Sequence, residues 1–352
     1  MDHLVFTLQT LEDTKQTRRI QISGGSTYTI SLPKKWIDEL GIKNGDNMTI
    51  IKNSNRSLTL FPGLDTEKPT KKAFFTISQK DSEESIRRKI VALYLTGYKT
   101  IQVTSKGVKL LPEHSRLIKD LVRKSMIGTE IVESDSESIT IQILTRLPEL
   151  TFDVALKRMY LMTVNMHKEA IEALKKFDLE YAEEVVRMDD EVDRFSLYMM
   201  RTLIMAIQNA SMLHDVGLKQ PSDCLNYRTV ISRIERIADH AALIAKRIKL
   251  LKDPLDSRII KEIEILSMEA INCFESSISA LTKNDHVLAE KIAANIVGVV
   301  EKEKELMYGM RESKNSTAIK FILEDISRTA EYSSDIVEVV INETIHNVIS
   351  EK

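Results

Sequence analysis

The sequence of 352 residues contains only two cysteines, Cys224 and Cys273, which lie far apart. Two cysteines cannot build a disulfide framework or a multi-thiolate zinc site, and their scarcity is typical of a reducing compartment. Aromatic residues make up only 5% of the chain. This small share, together with abundant Leu, Ile, Ala, Glu and Lys, favours packed helices over a β-sandwich.

The sequence also lacks long apolar runs and a strong net charge. No segment approaches the roughly 20 consecutive apolar residues that a membrane-spanning helix needs. The first 15 residues carry acidic side chains and no apolar run, unlike a signal peptide. We therefore expect a cytoplasmic protein with no membrane insertion. The net charge is −2, so any binding to nucleic acid must come from a local basic patch.

The N-terminal segment, residues 1–62, alternates between short strand patterns and tight turns. The pattern predicts a short helix over 34–40 and a closing hairpin over 48–61. A mostly β unit of this size buries too little apolar surface to be stable alone. We therefore expect this domain to form a homodimer.

The next segment combines strands and helices. Residues 63–72 have the composition of a linker. Residues 73–147 predict a small α+β connector with the element order βαβαββ. Within the connector, Asp81 and Glu84 have the spacing of a capping box at the start of a helix. The connector sequence indicates no ligand and no reaction.

Residues 151–352 predict a purely helical region. Turn-forming residues divide it into six amphipathic helices of about 25 to 35 residues, which is typical of antiparallel bundles. An internal repeat supports this interpretation, because residues 236–245 align with 328–337 without a gap. Both copies lie near the start of the third helix of their half. The region therefore predicts two related three-helix bundles, at about 151–252 and 255–352.

Two acidic pairs occur in the first of these bundles. Asp189 and Asp193 are four residues apart in the second helix, and Glu235 and Asp239 have the same spacing in the third. Two such pairs on packed helices bring four carboxylates within reach of one hard cation, such as Mg, Mn, Ca or iron. The alternative is that these residues are solvated, because acidic pairs at this spacing are common on helix surfaces.

The second bundle does not keep these acidic pairs. The counterparts of Glu235 and Asp239 are Ser327 and Glu331, and the positions that correspond to Asp189 and Asp193 hold apolar residues, Ile296 and Val300. If a metal site exists, we expect the first bundle to have the full set of ligands and the second to have lost most of it.

The helical region resembles the PhoU family. The resemblance rests on the acidic pair Asp189/Asp193 and on the phrase Glu235-Arg236-Ile237-Ala238-Asp239-His240. It implies tandem three-helix bundles that bind a divalent or iron-type metal (Mg, Mn, Fe or Zn) through Asp189, Asp193, Glu235 and Asp239. It also implies a regulator of phosphate uptake or phosphate signalling, with a phosphate ABC transporter or a sensor kinase as partner.

The N-terminal domain resembles the SpoVT/AbrB swapped-hairpin domain, through the segments 31–36 and 40–46. Such domains intertwine as homodimers and usually bind DNA. The resemblance and the basic side chains together give six expected DNA contacts: Arg18, Arg19, Lys34, Lys35, Lys52 and Arg56. Thr29 stands where bacterial members often have an arginine. The combination of both regions resembles archaeal phosphate-uptake regulators.

Other functions remain as alternatives. The protein could be a dimeric adaptor that docks on a transporter or kinase without binding DNA. A di-iron enzyme needs Glu-x-x-His on two helices, and the sequence offers only Glu343 with His346, at the end of the last helix. A lone antitoxin does not explain the large helical region. We therefore predict a regulator that is not an enzyme.

Overall fold

The computed structural model describes residues 15–52, 56–62, 71–105, 107–144, 150–208, 210–309 and 314–349. The chain divides into two compact units, Met1–Lys68 and Pro69–Lys352. The predicted linker, residues 63–72, falls mostly outside the described residues.

The first unit consists of two hairpins and one helix. Strand β1 (Gln21–Ser23) pairs antiparallel with β2 (Thr27–Thr29). Helix α1 (Lys34–Glu39) follows, and β3 (Met48–Lys52) then pairs antiparallel with β4 (Leu58–Pro62). The predicted helix and closing hairpin are thus confirmed.

This first unit has almost no core of its own. Pro33 is the one buried residue among those described in the unit. Its large apolar side chains are mostly exposed, including Tyr28 at 71%, Leu58 at 65% and Ile50 at 61%. Apolar surface of this extent is unfavourable in water and indicates an interaction surface.

The second unit begins with the α+β connector. Its elements are β5 (Lys72–Ile77), α2 (Glu83–Leu95), β6 (Thr100–Ser105), α3 (Pro112–Ser125), β7 (Thr129–Ser134) and β8 (Ser138–Ile143). The sheet order is β5-β6-β8-β7, with β5 and β6 parallel and the other pairs antiparallel. The predicted βαβαββ order is confirmed. Apolar residues of α2 and α3 share one buried core with the inward residues of the sheet.

The start of α2 differs from the expected capping box. The Ser82 hydroxyl accepts the N-terminal hydrogen bond from the Ser85 amide at 3.3 Å. The carboxylate of Asp81 instead accepts from the amide of Ser78 at 2.7 Å. The prediction was wrong because Asp81 closes the turn after β5 and is not available to cap the helix.

The rest of the second unit is helical. The described helices are α4 (Phe152–Lys176), α5 (Leu179–Gln208), the short α6 (Ala210–Asp215), α7 (Pro221–Ile248), α8 (Ser257–Lys283), α9 (His286–Gly309) and α10 (Ser316–Thr344). Helices α4, α5 and α7 pack together, as do α8, α9 and α10, and α7 packs against α10. The six predicted long helices are confirmed.

The two bundles repeat the same local structure where their first helix ends. Phe177 and Asn284 both have left-handed backbones, with φ of 52° and 50°. The following residues, Asp178 and Asp285, each accept a hydrogen bond from an amide three residues later, at 3.0 and 2.9 Å. This shared turn is independent support for the internal repeat.

A buried arginine fastens the connector to the first bundle. Arg201 of α5 is 6% exposed and donates hydrogen bonds to the backbone carbonyls of Tyr94 and Tyr98, the latter at 3.2 Å. Its guanidinium also lies over the Tyr94 ring, 4.9 Å from the centroid. These contacts satisfy a buried charge that is otherwise costly.

A buried histidine lies where the two bundles meet. His167 of α4 is fully buried, with Nε2 at 2.9 Å from Ser267 Oγ on α8 and Nδ1 at 3.3 Å from Thr329 Oγ1 on α10. Burial lowers the pKa of His167 from 6.5 to about 4. The side chain is therefore neutral in the folded protein at neutral pH.

This histidine predicts a loss of stability in mild acid. Below pH 6.5 the unfolded chain gains a proton on His167 that the folded chain resists until about pH 4. The contribution of neutral His167 to the free energy of unfolding is fully present above pH 6.5. It decreases as the pH falls below 6.5, by roughly 2 kcal/mol between pH 7 and pH 5. Urea unfolding should show His167→Gln losing less stability than the parent over this interval, by about that amount.

The control for this prediction is His214→Gln, because His214 is exposed. This variant should keep the pH dependence of the parent. A His167→Gln variant that also keeps it would contradict a neutral buried histidine.

Candidate metal centre

Three aspartates converge between α5 and α7. Asp189 and Asp193 are one turn apart on α5, and Asp239 faces them from α7. One carboxylate oxygen of each residue lies within 4.8 Å of those of the other two. The structure therefore brings together three of the four expected ligands.

The fourth expected ligand is turned aside. Glu235 lies one turn before Asp239 on α7, but its Oε2 accepts a hydrogen bond from the Ser196 hydroxyl at 2.7 Å. Ser196 is buried on α5, three residues after Asp193. The sequence prediction missed Ser196, although helical spacing places it beside the acidic pair.

The carboxylates repel one another electrostatically. The pKa of Asp189 is raised to about 6, mainly because the bundle limits the solvation of its carboxylate and secondly because of the negative charge of Asp239. The side chain of Asp193 is exposed on one side, but the helices on its other side limit its solvation; this, and then the charges of Asp189 and Glu235, raise the pKa of Asp193 to about 7. Ordinary aspartates titrate near pH 4, so negative charge is in excess at this place.

The available cations do not balance this charge. Arg236 pairs with Asp239 at 3.2 Å, but its side chain is exposed and it forms no ion pair with Asp189 or Asp193. Lys246 acts on Asp189 only through its charge. The buried Oδ1 of Asp189 has no hydrogen-bond partner among the described residues. An unpartnered buried carboxylate oxygen is unfavourable unless something else binds it.

These features fit a hard divalent cation. The cluster offers only carboxylate oxygens, which are the donors that Mg, Mn, Ca and iron accept in such sites. It also provides excess negative charge and an unsatisfied oxygen. Zinc sites more often include imidazole or thiolate ligands, so this donor set favours the harder ions.

His240 does not join the cluster, although it follows Asp239 in sequence. Its Nδ1 donates to Asp325 Oδ1 of α10 at 2.9 Å. Asp325 is 1% exposed and also pairs with Arg247, whose Nη2 donates to Oδ1 at 3.2 Å. His240 thus belongs to the interface between the two bundles.

The second bundle has a different arrangement at the corresponding positions. Glu303 of α9 is 8% exposed, and burial together with Glu324 and Glu331 raises its pKa. Arg328 pairs with Glu331 at 2.6 Å and with Glu324 at 3.4 Å. The first bundle has the equivalent pair, Arg236 with Asp239, so the second bundle differs mainly in having apolar residues, Ile296 and Val300, where the first has Asp189 and Asp193.

Other predicted residues do not form a second site. Glu343 accepts a hydrogen bond from Asn226 at 2.8 Å, and His346 lies in a short 3-10 turn after α10. Among the described helices, none is long and apolar enough to cross a bilayer. The six basic residues expected to contact DNA are all exposed: Arg18, Arg19, Lys34, Lys35, Lys52 and Arg56.

The fold and the site define a protein of tandem helical bundles with a carboxylate centre in the first. The PhoU domain family matches residues 156–248, which include all four predicted ligands. The family described as antidote-toxin recognition MazE, bacterial antitoxin, matches residues 21–72. The chain is therefore PhoU-like in its helices and MazE/AbrB-like at its N-terminal end, which confirms the resemblance seen in the sequence.

One relative and two solved structures are similar to parts of this chain. A Burkholderia protein named phosphate-specific transport system accessory protein PhoU homolog is 28% identical over 173 residues, which are 48% of this chain and 68% of the relative. PhoU structures from Streptococcus pneumoniae and Pseudomonas aeruginosa each align with a TM-score of 0.48. They are 20% and 19% identical, and they cover 57% and 56% of this chain and 96% of their own. The Burkholderia relative is named an accessory protein and the Streptococcus structure a regulatory protein.

Removing one charge should reveal the repulsion within the cluster. Without metal at pH 8, Asp193→Asn should stabilise the protein by about 1 kcal/mol, a solvent-screened effect. With added Mn²⁺, the same variant should gain less stability than the parent, because it has lost a ligand. Thermal melts in EDTA and in Mn²⁺ measure both effects.

Asp190→Asn is the matched control, because Asp190 is an exposed aspartate of α5, as Asp193 is, but lies outside the cluster of three. This variant should not change the melting temperature by a comparable amount, either in EDTA or in Mn²⁺. Equal Mn²⁺ stabilisation of Asp193→Asn and the parent would remove Asp193 from the ligand set.

Proposed function

We propose that this protein regulates phosphate uptake, with the carboxylate centre of its first bundle as a binding site for a hard divalent cation. The observation that carries the proposal is the match of the PhoU domain to the same helices that hold Asp189, Asp193 and Asp239. The name of the Burkholderia relative supports a role beside a phosphate transport system.

The cation has a structural reason to bind. Three carboxylates, one of them with an unpartnered buried oxygen, destabilise the empty bundle, and a cation such as Mg²⁺, Mn²⁺ or iron relieves that repulsion. Binding then couples α5 to α7, because each helix supplies part of the ligand set. Rotation of the Glu235 side chain away from Ser196 would complete the set of four.

We further propose that the N-terminal unit is a homodimer that contacts DNA. The exposed apolar side chains of this unit support association with a second copy, since a unit of about 50 residues needs such a partner for a core. The MazE-like match supports the same arrangement. The exposed basic residues, doubled in the dimer, are suited to phosphate contacts.

The test of this function is fluorescence anisotropy with DNA from upstream of phosphate-transport genes and with scrambled DNA, at two salt concentrations. We expect tighter binding to the upstream DNA and a steep loss of affinity with salt, because phosphate contacts release counterions. No binding to either DNA at low salt would favour the alternative below.

The alternative is a dimeric adaptor that docks on a phosphate transporter or sensor kinase. One observation favours it: Thr29, where a DNA-contacting arginine often stands, forms a backbone contact within its own hairpin, with Oγ1 at 3.4 Å from the Gln21 carbonyl. An adaptor keeps the metal site and the dimer but binds no DNA.

The dimer has its own prediction. Ile50→Asp places a charge on the exposed apolar surface of β3, so it should convert the full-length dimer into a monomer of 40.1 kDa in light scattering. The helical content should remain, because the second unit has its own core. Val287→Asp is the matched control, since Val287 is an equally apolar exposed residue of α9.

The control should remain dimeric. A monomeric parent protein, or an Ile50→Asp variant that is still a dimer, would show that this surface does not join two copies.

A further inference from the structure

The charges of the second unit are divided unevenly between its two parts. Residues 71–150 carry 14 Lys and Arg residues against 10 Asp and Glu residues, whereas residues 151–352 carry 27 against 34. The nearly neutral chain therefore contains a basic connector beside an acidic helical region. This separation of charge gives the connector a positive electrostatic potential, which attracts anionic ligands.

The positive charge of the connector is concentrated on one side of α3. At 100° per residue, Arg116, Lys119 and Arg123 fall within an arc of about 60°. They lie opposite the apolar residues that pack on the sheet. Arg116 and Arg123 are exposed and Lys119 is half-buried. We call these three residues the α3 stripe.

The α3 stripe has two acidic neighbours on its own helix, Glu113 and Asp120, but forms no ion pair with them. None of the three forms an ion pair with another described residue, whereas neighbouring basic residues do. Lys124 pairs with Asp120 at 3.7 Å, and Arg88 with Glu84 at 3.4 Å. The stripe therefore presents three available cations on a rigid helix that is packed against the sheet.

We propose that the α3 stripe binds consecutive phosphate groups of DNA, so that the connector adds sequence-independent affinity to the DNA contact of the N-terminal unit. This inference rests on the proposed DNA-binding function. The three residues span seven positions of helix, or about 10 Å. That length of duplex axis carries about three phosphates on each strand. The stripe is therefore long enough to reach more than one phosphate of the backbone.

The side chains around the stripe favour DNA over an anionic membrane surface. A helix that lies in a membrane interface inserts apolar residues. The apolar residues of α3 face the sheet, and its exposed positions are Pro112, Glu113, Arg116, Arg123 and Lys124. The surface is therefore suited to electrostatic contact with a phosphate backbone and not to insertion between lipids.

The test neutralises the stripe in the full-length protein. Arg116→Gln, Lys119→Gln and Arg123→Gln are combined, and binding to a scrambled duplex of about 40 base pairs is measured by anisotropy from about 50 to 200 mM salt. The slope of log affinity against log salt concentration should be less steep in the variant than in the parent. The difference should be about 2.7 for each contacting chain, because each of the three cations contributes about 0.9. The parent should then lose about 40-fold more affinity than the variant over this range.

The matched control removes three exposed lysines of the second bundle, Lys261, Lys291 and Lys320, by the same change to Gln. It alters the net charge equally and should keep the parent slope. Circular dichroism confirms that both variants fold.

The outcomes separate this inference from the proposed function. A parent that binds DNA and a stripe variant with the same slope overturn the inference alone. A reduced slope with equal affinity for upstream and scrambled DNA supports the stripe and removes sequence recognition. Binding of the parent to phosphatidylglycerol vesicles but not to DNA, lost in the stripe variant, overturns the inference in favour of a membrane contact.

Discussion

The helical region depends on one buried carboxylate, that of Asp325. This side chain is almost inaccessible to solvent, and it accepts hydrogen bonds from Arg247 and His240 across the interface between the bundles. A buried charge is destabilising by several kcal/mol when its partners are missing. The helices α7 and α10 therefore pack stably only in the register that brings these three residues together. Arg233 and Asp335, paired at 2.5 Å, fix the same register two turns away.

This register also determines where the three aspartates come together. On α7, His240 and Arg247 point about 100° around the helix axis from Asp239. One face of the helix is therefore held by the second bundle, while the neighbouring face presents carboxylates to α5. Helix α5 is also held in place, because Arg201, two turns after Asp193, donates hydrogen bonds to the connector. Both helices that carry the three aspartates are thus anchored from outside the cluster, so the carboxylates are held close despite their repulsion.

The sequence predicts those features that depend on spacing along the chain. Helical periodicity predicted the six long helices, and the four-residue spacing predicted that Asp189 and Asp193 would share a face. Features that depend on side-chain choice were not predicted. Glu235 has the right position for a ligand but bonds to Ser196, because a side-chain rotation is not encoded in spacing. Arg201 was also missed, since an arginine within an amphipathic helix normally indicates a solvated face.

The duplication explains why the cluster of three aspartates occurs in the first bundle and has no counterpart among the described residues of the second. Ser196 on α5 and Glu235 on α7 correspond to Glu303 on α9 and Ser327 on α10, so the hydroxyl and the carboxylate have exchanged helices. The backbone frame was kept, as the matching left-handed turns indicate, but the surrounding charge changed. The first bundle places two further aspartates on α5, whereas the second has apolar residues there. Both bundles keep an arginine paired with an acidic residue three positions later, Arg236 with Asp239 and Arg328 with Glu331. The first bundle therefore keeps an excess of negative charge, and an external cation is the simplest means of balancing it.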